Sequence, residues 1–218
     1  MAVPLAIMLS HLLTIMLSVL SMMMAFPIAM VVALGRRSSL PAIRTVCTIY
    51  VELIRGVPLI SVLFMASFMF PLFMPVGMSI DVLVRVIIGI TLFAAAYMAE
   101  VIRGGLQALP RGQFEAGDSL GLSYWQKTGL IILPQALKLV IPPMVNTFIS
   151  MFKDTSLVII IGLFDLLGSV RLAANDPMWR PFYVEGLVFV AVIYFIFCYT
   201  IARYSEHVER LARKGERR

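Results

Sequence analysis

Charge is scarce in this chain. Asp, Glu, Lys and Arg make up 14% of its 218 residues, against roughly 25% in an average soluble domain, and none of the four occurs from Met1 to Gly35. With 61% hydrophobic residues and a mean hydropathy of +0.95, the chain has more apolar surface than one soluble domain can hide, so its natural solvent is lipid. Cysteine is nearly absent. Cys47 and Cys198 stand alone in apolar runs, without metal or redox spacing, and read as small membrane-core residues. The sequence has no Ser-His-Asp set, no metal-ligand spacing and no G-x-x-x-x-G-K-[ST]. It therefore lacks a catalytic constellation, no metal or cofactor is expected in it, and any ATP must be bound by another chain. A basic region ahead of the first apolar run is also missing, and that run exceeds the roughly 7–15 residues of a signal-peptide core, so it is expected to span rather than to be cleaved.

What is present is five apolar segments, at about 5–34, 43–70, 82–106, 139–164 and 182–204. In lipid such segments must be helices, because every backbone polar group needs an internal partner. The alternating strands of about ten residues that a barrel needs do not occur. The expected fold is an all-α integral membrane protein with five transmembrane helices in a single domain, 1–218.

The net charge of +6 is a matter of position. Arg36, Arg37 and Arg44 follow the first segment. Arg103, Arg111, Lys127 and Lys138 surround the link after the third. Arg203, Arg210, Arg213, Lys214, Arg217 and Arg218 follow the fifth. The link 71–81 has no Lys or Arg, and the link after the fourth segment has only Arg171 and Arg180 beside Asp165 and Asp176. Basic and poor links alternate, which predicts an outer N-terminus and a cytoplasmic C-terminus. A basic tail of this kind is a membrane-surface anchor, and no nucleic-acid partner is expected.

The longest polar interruption is 110–134. Glu115, Ala116, Ser119 and Leu120 fit a short helix along the membrane face, and Gly121 suits its end, where positive φ is often needed. Phe114, Leu120, Leu122 and Trp125 give it an apolar side for a partner. The stretch resembles the coupling motif of ABC-importer permeases: Glu115-Ala116-Gly117, then Gly121, then Ile131-Ile132-Leu133-Pro134, with Gly117 in place of the usual alanine. Glu52-Leu53-Ile54-Arg55-Gly56-Val57-Pro58-Leu59, Ala96-Tyr97-Met98-Ala99-Glu100-Val101-Ile102-Arg103-Gly104-Gly105, and Asn146-Thr147-Phe148-Ile149 followed by Lys153-Asp154-Thr155-Ser156-Leu157 resemble helix signatures of the polar amino-acid permeases. The likeness is greatest to the M-type membrane subunit of the general L-amino-acid permease.

The resemblance implies a type I ABC-importer permease core in a bacterial inner membrane, multi-pass, that imports L-amino acids. Its partners would be a pair of ATP-binding subunits that hold ATP and Mg, a second, Q-type permease subunit, and a periplasmic amino-acid-binding protein. Glu115, Ala116, Gly117 and Gly121 would meet the ATPase. The alternative is a stand-alone secondary amino-acid transporter, in which the coupling motif would have no purpose.

Two sets of charges lie inside apolar segments, where each costs at least ~2.5 kcal/mol at mid-bilayer. Lys153 and Asp154 fall about mid-way along the fourth segment. Lys153 suits a substrate carboxylate and Asp154 an ammonium, with Thr155 and Ser156 as hydrogen-bond partners and Asn146 about two turns earlier on the same face. A structural pair that fixes helix packing fits equally well. Glu52 with Arg55, and Glu100 with Arg103, each place opposite charges at i and i+3 ahead of a glycine. They suit either self-neutralisation within each pair or a cytoplasmic gate.

Overall fold

The computed structural model describes residues 2–75 and 77–214, with side chains from 8 to 210. The side chains of Arg213 and Lys214, and all of Arg217 and Arg218, lie outside the described residues. Among the described residues every regular element is helical. Four helical spans are long and apolar enough to cross a membrane, and a bent pair makes a fifth. The all-α, five-span expectation is met, with changes to two of the spans.

The first helix, α1 (Ala2–Gly35), is apolar on all sides. What fixes its inner face is side-chain size. Ser10, Thr14, Ser18, Ser21, Ala25, Ala29 and Ala33 are buried at steps of three or four residues, a stripe that lets backbones approach closely where the hydrophobic effect cannot drive helix pairing. It packs along α4 (Val82–Ala108), which answers with Ala94, Ala95 and Ala99, all fully buried. Asp81 caps α4 by accepting the Leu83 N–H at 2.8 Å. Two thirds of the apolar window of α4 is buried, so this helix is the axis of the molecule. At Gly105 the fit is closest: a Cβ there would lie 2.2 Å from Val140 Cγ1 and 3.1 Å from the Ala136 carbonyl.

The segment 43–70 is not one helix. It splits into α2 (Pro41–Arg55) and α3 (Leu59–Phe64), the latter continued by a π turn at Met65–Met69 and a 3-10 turn at Phe70–Phe73. The two halves meet at 101°. The cause is local. Pro58 is extended (φ −65°, ψ 146°), has no N–H to donate, and pushes the residue before it out of the helical region. Gly56 closes α2 by donating to the Glu52 and Leu53 carbonyls.

The fourth span also departs from 139–164. The short α5 (Arg111–Ser119) is followed by α6 (Tyr124–Lys127), which runs through a π turn at Thr128–Ile132 into α7 (Leu133–Asp154). The segment 110–134 thus divides, with its second half forming the start of the fourth span. Pro134 follows directly on the π turn within this continuous helical run, and it has no N–H to donate to the turn before it. After Asp154 the chain tightens into a 3-10 turn, Thr155–Ile161, ended by Gly162 at φ +81°. Lys153 and Asp154 are therefore in the last turn of the α-helix rather than mid-helix.

The short α8 (Leu166–Ala173) turns beneath α1, and α9 (Tyr183–Lys214) packs on α7 and α8. Asp165, fully buried, joins three of these elements. It caps α8 at the Gly168 N–H (2.8 Å) and accepts the Tyr194 hydroxyl at 3.0 Å, while the adjoining Leu166 N–H donates to Thr14 of α1 at 3.2 Å.

Candidate functional site

The break between α2 and α3 leaves a space that the face of α7 overlooks. A cavity of about 460 Å³ lies there, lined by Val57, Pro58 and Leu59 from the break, Phe93 and Tyr97 from α4, and Asn146, Thr147, Ser150, Met151, Asp154 and Leu157. Asn146, Ser150 and Asp154 recur every four residues, one face of α7. Asp154 supplies the cavity's only charge, beside the neutral donors and acceptors of Asn146, Thr147 and Ser150 and the rings of Phe93 and Tyr97, which lie 4.9 Å apart. Such a lining matches a small molecule with an ammonium, a hydrogen-bonding end and an apolar body.

Of the five residues expected at a substrate site, Asn146 and Asp154 are brought together here, and Lys153, Thr155 and Ser156 are not. Lys153 is exposed, one residue and about 100° around the helix from Asp154. Thr155 is 1% exposed and donates to the Phe152 carbonyl at 2.8 Å. Ser156 sits in the 3-10 turn, off the face that α7 presents. The sequence reading missed Phe93, Tyr97, Thr147 and Ser150. The four-residue step from Asn146 would have given Ser150. The aromatic pair carries no local signal.

Glu52, Arg55, Glu100 and Arg103 do not form two self-contained pairs. Arg103 bonds Glu100 within α4, as spacing suggested, but Glu52 turns to Arg36 at the end of α1 (3.0 Å). Arg36 also reaches Glu100 at 2.6 Å, and Arg55 approaches the same carboxylate at 3.7 Å. Three guanidiniums thus share Glu100. The Arg55 guanidinium also lies 5.5 Å from the centre of the Tyr97 ring, so the charged network touches the wall of the cavity.

The third group is α5. Its end is a Schellman turn: Leu122 N–H donates to the Gly117 carbonyl, Gly121 N–H donates to Asp118, and Gly121 has φ +68°. Glu115 and Ala116 are exposed, whereas Gly117 is buried under Lys127, whose stem crosses it to pair with Asp118. A Cβ on Gly117 would fall 2.7 Å from Lys127 Cδ and 2.8 Å from its Cγ, so the alanine of the motif would have to move the lysine stem. Leu120 and Trp125 are each 72% exposed. Phe114 is not on that outer side. It packs into the chain's own core, under the Arg37 guanidinium at 5.1 Å. Gln113 accepts from Gln135 of α7 at 2.9 Å, so α5 is seated on the membrane helices through one face and open on the other.

Residues 25–213 match the family described as binding-protein-dependent transport system inner membrane component. The chain is 59% identical over 191 residues to the inner membrane amino-acid ABC transporter permease protein YhdY of Escherichia coli (strain K12), covering 88% of this chain and 52% of that protein. It is 47% identical over 207 residues to the glutamate/glutamine/aspartate/asparagine transport system permease protein BztC of Rhodobacter capsulatus, covering 94% and 48%. The chain thus spans about half the length of these two relatives. A solved structure described as an amino acid ABC transporter with histidines matches with TM-score 0.83 and 31% identity over 94% of this chain and 93% of that one. These matches set aside the reading as a stand-alone secondary transporter.

Proposed function

Since the chain belongs to the binding-protein-dependent transport system inner membrane component family, we propose that it is the permease subunit of an ATP-driven importer of L-amino acids. The observation that carries this reading is the seating of α5: held against Arg37 through Phe114 and against α7 through Gln113, with Glu115 and Ala116 exposed to a partner. A rigid knob held in this way can pass a rigid-body shift of an ATPase into the membrane helices. The ATPase pair, which binds ATP and Mg, docks on Glu115, Ala116 and the turn at Gly117–Gly121. A periplasmic binding protein delivers the amino acid, and a second permease of the Q type completes the path. The N-terminus faces the periplasm and the tail after α9 the cytoplasm, in keeping with the alternation of basic links. Within the chain, Asp154 receives the substrate ammonium, and Asn146, Thr147 and Ser150 receive its polar end. The charged network around Glu100 closes the cytoplasmic side.

The test uses the assembled transporter. Glu115→Lys with Gly121→Val should abolish ATPase co-purification and amino-acid uptake into vesicles, because one reverses the exposed charge and the other forces a β-branched residue to positive φ. Normal coupling in the double variant, or uptake by the purified chain alone, would overturn the assignment.

A further inference from the structure

The tandem arginines in the turn after α1 reach two different places. Arg37 lies over the Phe114 ring of α5 at 5.1 Å and donates through Nη1 to the Leu106 carbonyl of α4 at 2.9 Å. Arg36, its neighbour, donates through Nη1 to Glu100 at 2.6 Å and through Nη2 to Glu52 at 3.0 Å, with only 11% of its side chain exposed. Glu100 in turn draws Arg55 to 3.7 Å, and Arg55 lies over Tyr97. Arg55 is also the last residue of α2, directly ahead of Gly56, Val57 and Pro58, and Val57 and Pro58 line the cavity with Tyr97. An unbroken set of contacts therefore joins the motor-facing helix to the cavity: Phe114, Arg37, Arg36, Glu100, Arg55, and then Tyr97 with the break.

We propose that Arg36 and Arg37 are positioning residues that carry the displacement of α5 to the cavity wall through Glu100 and Arg55. The inference rests on the importer reading above and adds the route. Two features favour it over a static brace. First, Arg36 and Arg37 are consecutive in the turn that closes α1, each with its N–H bonded back to the helix at 3.0 Å (the Val32 and Leu34 carbonyls), so a shift of the Phe114 ring that drags Arg37 also displaces the backbone that carries Arg36. Second, Glu100 has three guanidiniums within reach, so Arg36 can move relative to α4 while Arg55 and Arg103 still neutralise the carboxylate. The route passes through ionic and cation–π contacts, which tolerate sliding, rather than through interdigitated apolar packing.

Spatial succession alone does not establish coupling, so the test is energetic. The assembled transporter in vesicles is assayed for basal ATPase and for its stimulation by substrate-loaded binding protein. Arg37→Gln, Phe114→Leu and Arg55→Gln should each lower the stimulation ratio at least about fivefold, the lower end of ordinary allosteric coupling, with each rate taken relative to that variant's own basal ATPase and to the ATPase subunits bound. Phe114 and Arg55 do not touch, so the decisive measurement is the double variant Phe114→Leu/Arg55→Gln. On one route its loss equals that of the worse single variant, whereas independent sites give the product of the two losses. Arg37→Lys, which keeps a cation over the ring, should recover part of the stimulation. Full stimulation in Arg37→Gln, or multiplicative losses in the double variant, would overturn the relay. Absence of stimulation in the unaltered complex would overturn the importer reading along with it. If Arg37→Gln does not assemble, Phe114→Leu leaves every charge in place and carries the same decision.

Discussion

Asp154 is the residue whose setting says most about what it does. It shares the cavity with no cation, and its helical neighbour Lys153 points elsewhere. A charge-assisted hydrogen bond to an ammonium contributes about 1.5–3 kcal/mol. Asp154→Asn should therefore raise the KM for amino-acid uptake by about tenfold or more, with assembly and basal ATPase unchanged. Uptake with unaltered KM and unaltered preference among amino acids would remove Asp154 from the site. The carboxylate was legible in the sequence because a charge inside an apolar run demands a reason. Arg36 was not. An arginine beside a membrane segment satisfies the topology rule whether it faces water or reaches back to Glu52 and Glu100, and only the packing of α1 on α4 distinguishes the two. Gly117 shows the reverse case: a departure from the motif that weakens the helix by propensity leaves room for a lysine stem lying across it.

Among the elements, the bent pair α2–α3 shapes the cavity. The stretch from 43 to 70, although it carries Arg44, Glu52 and Arg55, reads as one apolar span. The break was written only in Gly56-Val57-Pro58, a signal that helix interiors in membranes often tolerate. Here it decides the geometry, since Pro58 is extended and its neighbours wall the cavity. Replacing Gly56 and Pro58 together by alanine should straighten the pair. Spin labels at Ile49 and Phe68, both exposed, would then separate toward roughly 28 Å, the length of 19 helical residues at 1.5 Å each, and uptake should fall with the lost cavity wall. An unchanged distance distribution would show that packing against α4, rather than the proline, holds the bend. The start of the fourth span was misread for a related reason. Pro134 marks a helix start, but the π turn at Thr128–Ile132 joins it to α6, and that turn has no sequence pattern of its own.

At the scale of the whole molecule, the class, the number of spans and the place of the polar interruption followed from the distribution of apolar and charged residues alone. Which helices touch did not, because lipid-soluble helices all look alike in composition, and their pairing depends on small residues such as Ala25, Ala29 and Ala94 meeting across an interface. That pairing is uneven. Two thirds of the apolar window of α4 is buried but only 6% of that of α9, and α9 is held through Val190, the Tyr194 bond to Asp165 and the rings of Tyr194 and Phe197 against Phe152 of α7. Chains fold from the N-terminus as they are made, and everything α4 needs has been synthesised before Tyr183. The nascent protein can therefore close its core while the last helix is still in the ribosome, and α9 docks onto a surface already built. A split protein, 1–180 with 181–218 supplied separately, should give a protease-resistant first fragment that captures the second. Tyr194→Phe should weaken that capture by about threefold, from the ~0.6 kcal/mol typical of hydrogen bonds between membrane helices. Degradation of 1–180 in the absence of its partner fragment would show instead that the peripheral helix is needed for the core to form.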